Sequence, residues 1–133
     1  MCWLVVVGVV SVLPQSDHAN NPTGAWRGES RCLVKQSACR DEDSLYRIAA
    51  VAHSDAKLTI TANKIVDGKE VKMGTSECSF SPDTHLLKCP LPNGSTVTFE
   101  LKGDSLNGTM TLADGTEWRK IALKRLPAQH TPS

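Results

Sequence analysis

The residues of this chain with the plainest chemistry are four cysteines, Cys32, Cys39, Cys78 and Cys89; a fifth, Cys2, lies in an apolar N-terminal stretch. Four thiols can hold a metal ion or form two disulfides, and a zinc site asks for C-x-x-C spacing, which none of them has. Cys32 and Cys39 are near enough in sequence to tie the end of one strand to the loop after it. Cys78 and Cys89 flank the turn Ser81-Pro82-Asp83-Thr84, where a hairpin brings both to the same level. Local pairing, Cys32 with Cys39 and Cys78 with Cys89, is therefore expected among the three connectivities, each bridge contributing roughly 2 to 3 kcal/mol by restricting the unfolded chain.

Other candidate chemistry is sparse. Asp41-Glu42-Asp43 is the longest run of like charge. It could bind calcium with backbone carbonyls, but the glycine and regular oxygen spacing of a calcium loop are missing, and a solvated acidic turn is the expectation. His53 and His85 stand singly beside turn residues and read as surface side chains, and no Ser, Cys or Lys occupies a nucleophile motif. The reading is of no catalytic residue, no metal and no cofactor. What is left is contact: Trp26, Tyr46, Ile60, Phe99 and Met110 could line a small apolar pocket. The competing expectation is a filled interior, in which small inward residues (Gly28, Ser30, Ala50, Ala62 and Gly108) face large neighbours such as Phe99 and Met110.

The elements that must position these residues are strands. In the run from Gly24 to Lys35, a period of two puts Trp26, Gly28, Ser30, Cys32 and Val34 on one face and Arg27, Glu29, Arg31, Leu33 and Lys35 on the other. A strand with one dry and one charged face belongs to an antiparallel sheet over a single core. The same theme recurs over 45–51, 58–62, 70–80, 85–89, 96–101, 106–112 and 117–125, with turn signals such as Asp67-Gly68, Pro90-Leu91-Pro92, Gly103-Asp104 and Asp114-Gly115 between them. No segment carries convincing helical periodicity. Eight short strands in sequence suggest an all-β, up-and-down antiparallel barrel, which removes its own edges by closing. Alternation changes phase around Gly74 and again at Trp118, as a β-bulge would make it do.

Cys2 to Leu13 is an unbroken apolar and small-residue stretch, too short to span a bilayer as a helix and of the length of a signal-peptide core. Residues 1–19 are read as a signal peptide cleaved after Ala19, with Ser16 the rival site, and 20–133 as one barrel domain with a short disordered C-terminal tail. Removing the leader takes away only Asp17 among the charged residues, leaving fifteen Lys and Arg against thirteen Asp and Glu. Scattered charge near neutrality argues against nucleic acid and anionic membranes as partners, since both need clustered cations. Export, to the periplasm or beyond, also suits the even count of cysteines. A monomer with no membrane anchor after cleavage is expected.

Arg125 shares the inward face of the last strand with Ile121 and Leu123, and in a closed barrel it arrives beside Trp26. With Gly24, these residues resemble the calycin superfamily, the lipocalins and their relatives, whose mark is a G-x-W on the first strand with a cation from the last strand across the indole. The chain is also similar to uncharacterised small secreted bacterial proteins with a G-x-W-x-G opening (Gly24 to Gly28), a cysteine followed by Asp-Glu (Cys39 to Glu42) and a D-G-x-x-aromatic-Arg ending (Asp114 to Arg119). The lipocalin resemblance implies a ligand-binding barrel. The functional expectation is a non-enzymatic exported module for a small apolar or amphipathic molecule in the barrel mouth. The alternatives are a protein-binding barrel, similar to periplasmic protease inhibitors that act through an N-terminal segment (here Asn20 to Thr23), and an enzyme using the mouth. The inward faces carry almost no ionisable group besides Arg125 on this reading, which leaves an enzyme little to work with.

Overall fold

The computed structural model describes residues 8, 20–35, 38–54 and 56–127. The expected signal peptide, apart from Gly8, and the expected disordered tail lie outside the described residues. Eight strands follow one another: β1 (Gly24–Cys32), β2 (Glu42–Ala50), β3 (Lys57–Val66), β4 (Lys69–Ser81), β5 (Leu86–Pro90), β6 (Thr96–Lys102), β7 (Ser105–Thr111) and β8 (Glu117–Arg125). Each pairs antiparallel with the next, and β8 returns to β1, closing the barrel. There is no α-helix among the described residues.

Alternation sets the inside. Trp26, Ile48, Leu58, Leu87, Leu101 and Leu123 are buried, while the charged residues between them face out. Both phase changes are bulges. Ala62 pairs with Gly74 and Asn63 with Lys72, leaving Met73 as the extra residue of β4. Met110 pairs with Arg119 and Thr111 with Glu117, leaving Trp118 extra in β8. Asp67 and Gly68 both take positive φ, as a tight hairpin between β3 and β4 requires. The expected burial of Ala50 does not hold: it is the last residue of β2 and is exposed, although Leu58 across from it is buried.

The two bridges join Cys32 to Cys39 and Cys78 to Cys89. The first clips the β1–β2 loop. The second crosses directly between β4 and β5 on the inner face, with both sulfur-bearing residues buried. That position matters, because β4 and β5 share only three paired positions, Ser79 to Ser81 against Leu86 to Lys88. Below the bridge the barrel is continuous; above it, β4 runs on from Glu77 back to Lys69 paired with β3 alone.

Candidate ligand site at the barrel mouth

The two ends of the barrel are built from opposite materials. At the end where β1 begins, Trp26 is fully buried and its indole Nε1 donates to the carbonyl of Pro22 at 2.9 Å. The Arg125 guanidinium carbon stands 4.4 Å from the ring centroid. Its Nη1 and Nη2 donate to the carbonyls of Thr23 (2.9 Å) and Asn21 (2.8 Å), and its Nε donates to Asp104 at 3.2 Å. The cation therefore does two jobs: it covers the indole, by roughly 1 kcal/mol of cation–π attraction, and it anchors the incoming chain across the barrel end. Gly24 sits at φ 126°, a conformation L side chains rarely adopt, which explains the glycine of the G-x-W pattern. This end is a plug.

At the other end, a cavity of about 260 Å³ is lined by Tyr46, Ile60, Ala62, Met73, Gly74, Ser76, Cys89, Leu91, Val97, Phe99 and Met110. The structure thus brings together four of the five residues proposed for a pocket, Tyr46, Ile60, Phe99 and Met110. It leaves out Trp26, which belongs to the plug. Register explains the grouping: Tyr46 faces Ala62 and Ala62 faces Gly74 across β2, β3 and β4, so two small residues leave room beside one large ring. Tyr46 and Phe99 meet edge to face, with ring centroids 6.0 Å apart. Elsewhere small residues serve contact instead of space. A Cβ on Gly108 would come within 2.5 Å of the Phe99 ring, and one on Gly28 within 1.8 Å of the Ala122 carbonyl oxygen. Part of the interior is filled, and this cavity lies at the mouth.

The mouth also carries charge that the sequence reading missed. Glu42 and Arg119 are partly buried on the inner face of β2 and β8. Arg119 donates to Ser30 Oγ at 3.1 Å, and its Nη2 lies 3.8 Å from Glu42 Oε1. The expectation of an inner face nearly free of ionisable groups is therefore corrected. Counting back by two from Arg125 through Leu123 and Ile121 reaches Arg119, the last position before the bulge at Trp118. Burial pushes the Tyr46 hydroxyl up to about 12; the negative charge of Glu42 adds to the rise and Arg119 opposes it. Ser44, between them, is fully buried, and its Oγ has no hydrogen-bond partner among the described residues.

The acidic run does not converge. Asp41 accepts from the backbone N–H of Cys32, Asp43 pairs with Arg27 at 2.9 Å, and Glu42 turns inward. Among the described residues no group of three or more His, Cys, Asp or Glu side chains is placed to hold a metal ion.

Fold and site together define a class: a small, disulfide-bridged, eight-stranded antiparallel barrel, consistent with a lipocalin-like fold, plugged at one end and hollow at the other. No protein-family model matches the chain, and no curated protein is similar to it.

Proposed function

We propose that this barrel is a non-enzymatic binding module that takes a small apolar or amphipathic molecule into its mouth. The observation that carries the reading is the apolar cavity between Tyr46, Ile60, Phe99 and Met110, at the end of the barrel opposite Trp26 and Arg125. Apolar walls with a few polar groups at the rim are the usual make-up of small-molecule sites. The contact of Arg125 with Trp26 and the positive φ of Gly24 support kinship with the calycin superfamily. The two disulfides favour an oxidising compartment, in keeping with export to the periplasm or the medium.

The alternatives gain less. Protease inhibition through Asn20–Thr23 would need that segment to extend from the barrel, whereas the carbonyls of Asn21, Pro22 and Thr23 are all engaged by Arg125 and Trp26. Catalysis in the mouth would need a proton donor or acceptor poised near neutrality. Glu42 and Arg119 stand against one another, and Tyr46 holds its proton far above that range.

The test is native mass spectrometry of the full chain, exported by a bacterial host and purified without detergent. A co-purifying small molecule is the expected result and would identify the ligand class. A bare protein that stays bare after exposure to lipid extracts would overturn the reading.

A further inference from the structure

A barrel closes to spare its strands a bare edge, yet one stretch of this barrel keeps one. β4 pairs with β3 from Lys69 to Ser79 but with β5 only at Ser79, Phe80 and Ser81. From Lys69 to Glu77 its other edge has no strand beside it among the described residues. The turn fixes which backbone groups are left over. Asp67 and Gly68 form a two-residue hairpin turn with positive φ, so Val66 and Lys69 exchange both backbone bonds. Alternation then gives the N–H and C=O of Val71 to β3, opposite Lys64, and turns those of Glu70 and Lys72 to the bare edge. The side chains divide by face in the same rhythm. Val71 lies with Lys64, Val66 and Lys69; Glu70 and Lys72 share the other face. Glu70 accepts from Arg47 and Asn63, whereas Lys72 has no ion pair among the described residues. Val66, Val71 and Met73 are between 40% and 44% exposed, so open apolar surface collects along this same hairpin.

The order Glu70-Val71-Lys72 is complementary in charge to its own reverse. We infer that this edge is a self-association surface: β4 of one protomer pairs antiparallel with β4 of a second copy, about a two-fold axis at Val71, so that one sheet runs β3-β4-β4-β3 across two barrels. In this register Glu70 exchanges both backbone bonds with the partner's Lys72, and Lys72 with the partner's Glu70. The bare groups of both residues are thereby satisfied, and opposite charges stand across the seam on either side of the axis. Val71 meets its own copy as a pair without hydrogen bonds, the kind whose Cα atoms lie about 4.5 Å apart. Moving the axis to a neighbouring residue sets Glu70 against Glu70 or Lys72 against Lys72, which opposes like charges. A foreign strand lacks this match, and lysine on an edge ordinarily turns one away. The bulge at Met73 bends β4 beyond this stretch. The contact is therefore short, which places the dimer in the weak, transient class and makes the expected monomer its dilute form. Because the pairing is isologous, it uses up the bare edge of both copies and stops at two. None of this depends on what the cavity holds.

The test is sedimentation equilibrium of the full, exported chain from about 10 μM to about 1 mM, where a dimer that grows with concentration is expected. Lys72→Glu and Glu70→Lys should each weaken association roughly tenfold, because every substitution acts twice across the axis. The chain carrying both substitutions has its charges exchanged and matched again, and should associate within about threefold of the native chain. The two single variants, mixed, should prefer each other to themselves. Lys72 holds no acid within its own chain, so an unchanged melting temperature of dilute Lys72→Glu separates a lost interface from a lost fold. Mild oxidation should link Val71→Cys to its own copy roughly tenfold faster than Val66→Cys, since the spacing across the axis suits a disulfide. A chain that is monomeric throughout this range overturns the inference, even if its edge accepts a foreign strand. A dimer indifferent to both charge reversals, or equal cross-linking of the two cysteines, places any association elsewhere and overturns it as well.

Discussion

The plug and the mouth are made by the same eight strands, yet they differ in what satisfies their side chains. At the plug, Trp26 has its N–H bonded, its face covered by Arg125 and its surroundings filled, so the chain supplies every partner. At the mouth, Ser44 Oγ has no partner among the described residues, Tyr46 lines a void, and three apolar side chains remain half open on the hairpin above it. A barrel of this size has little surplus stability to leave groups unsatisfied. Unsatisfied groups gathered at one end, beside a strand edge without a neighbour, are what a site for something other than the chain would leave.

The contrast can be broken by substitution. Trp26→Ala should have the largest effect, a loss of roughly 3 to 5 kcal/mol by denaturant unfolding, because it opens a cavity under Arg125 and leaves the Pro22 carbonyl without its indole donor. A small change there would mean that the plug is not the organising end. Removing the inner bridge with Cys78→Ala and Cys89→Ala should cost roughly 2 to 3 kcal/mol. Because this bridge stands where β4 and β5 separate, the same variant should also widen the mouth, read as faster amide exchange in β5 than in β1. Equal exchange in both strands would place the weak seam elsewhere.

Tyr46 sharpens the comparison through pH, and as the sole tyrosine it can be followed by tyrosinate absorbance alone. Its proton is held up to about 12 in the folded barrel against 10.0 for the ordinary side chain. Below pH 10 both folded and unfolded chains keep the proton, and stability is untouched by this group. Between about 10 and 12 only the folded chain keeps it, so stability should fall by about 1.4 kcal/mol per pH unit from this source. Tyr46→Phe should remove that part of the slope; an unchanged slope, or a titration near 10, would show that the mouth is wetter than the packing implies. The smallest effect is expected at the hairpin, where Val71→Ser should alter stability by no more than about 0.5 kcal/mol. A larger loss would make Val71 a folding residue instead of a free surface.

Much of this architecture was legible in the chain, and the reasons are local. Alternation with a period of two reports one buried face directly, so the strands, the closure and even the bulges at Met73 and Trp118 left marks in the order of residues. The encounter of Trp26 with Arg125 followed from closure, since the end of the last strand must meet the start of the first. The mouth was harder. Trp26, Tyr46, Ile60, Phe99 and Met110 share inward parity, but parity does not say at which level of the barrel a residue lies, and Trp26 proved to be at the far end. Glu42, Lys64 and Arg119 escaped because β2 begins earlier and β3 runs on longer than their apolar runs do, and because Arg119 follows the last apolar position of the inner count in β8. Charged residues at the ends of strands look like solvent-facing ones unless the count by two is carried past the last apolar position.

The measurement that tests the central claim most directly is an NMR titration of the folded chain with decan-1-ol, following backbone amides and the Trp26 indole N–H together. Shifts confined to Ala62, Met73, Gly74, Leu91 and Met110, with the indole signal unmoved, are predicted by a hollow mouth above a sealed plug. Shifts centred on Trp26, or spread evenly around the barrel, would contradict it.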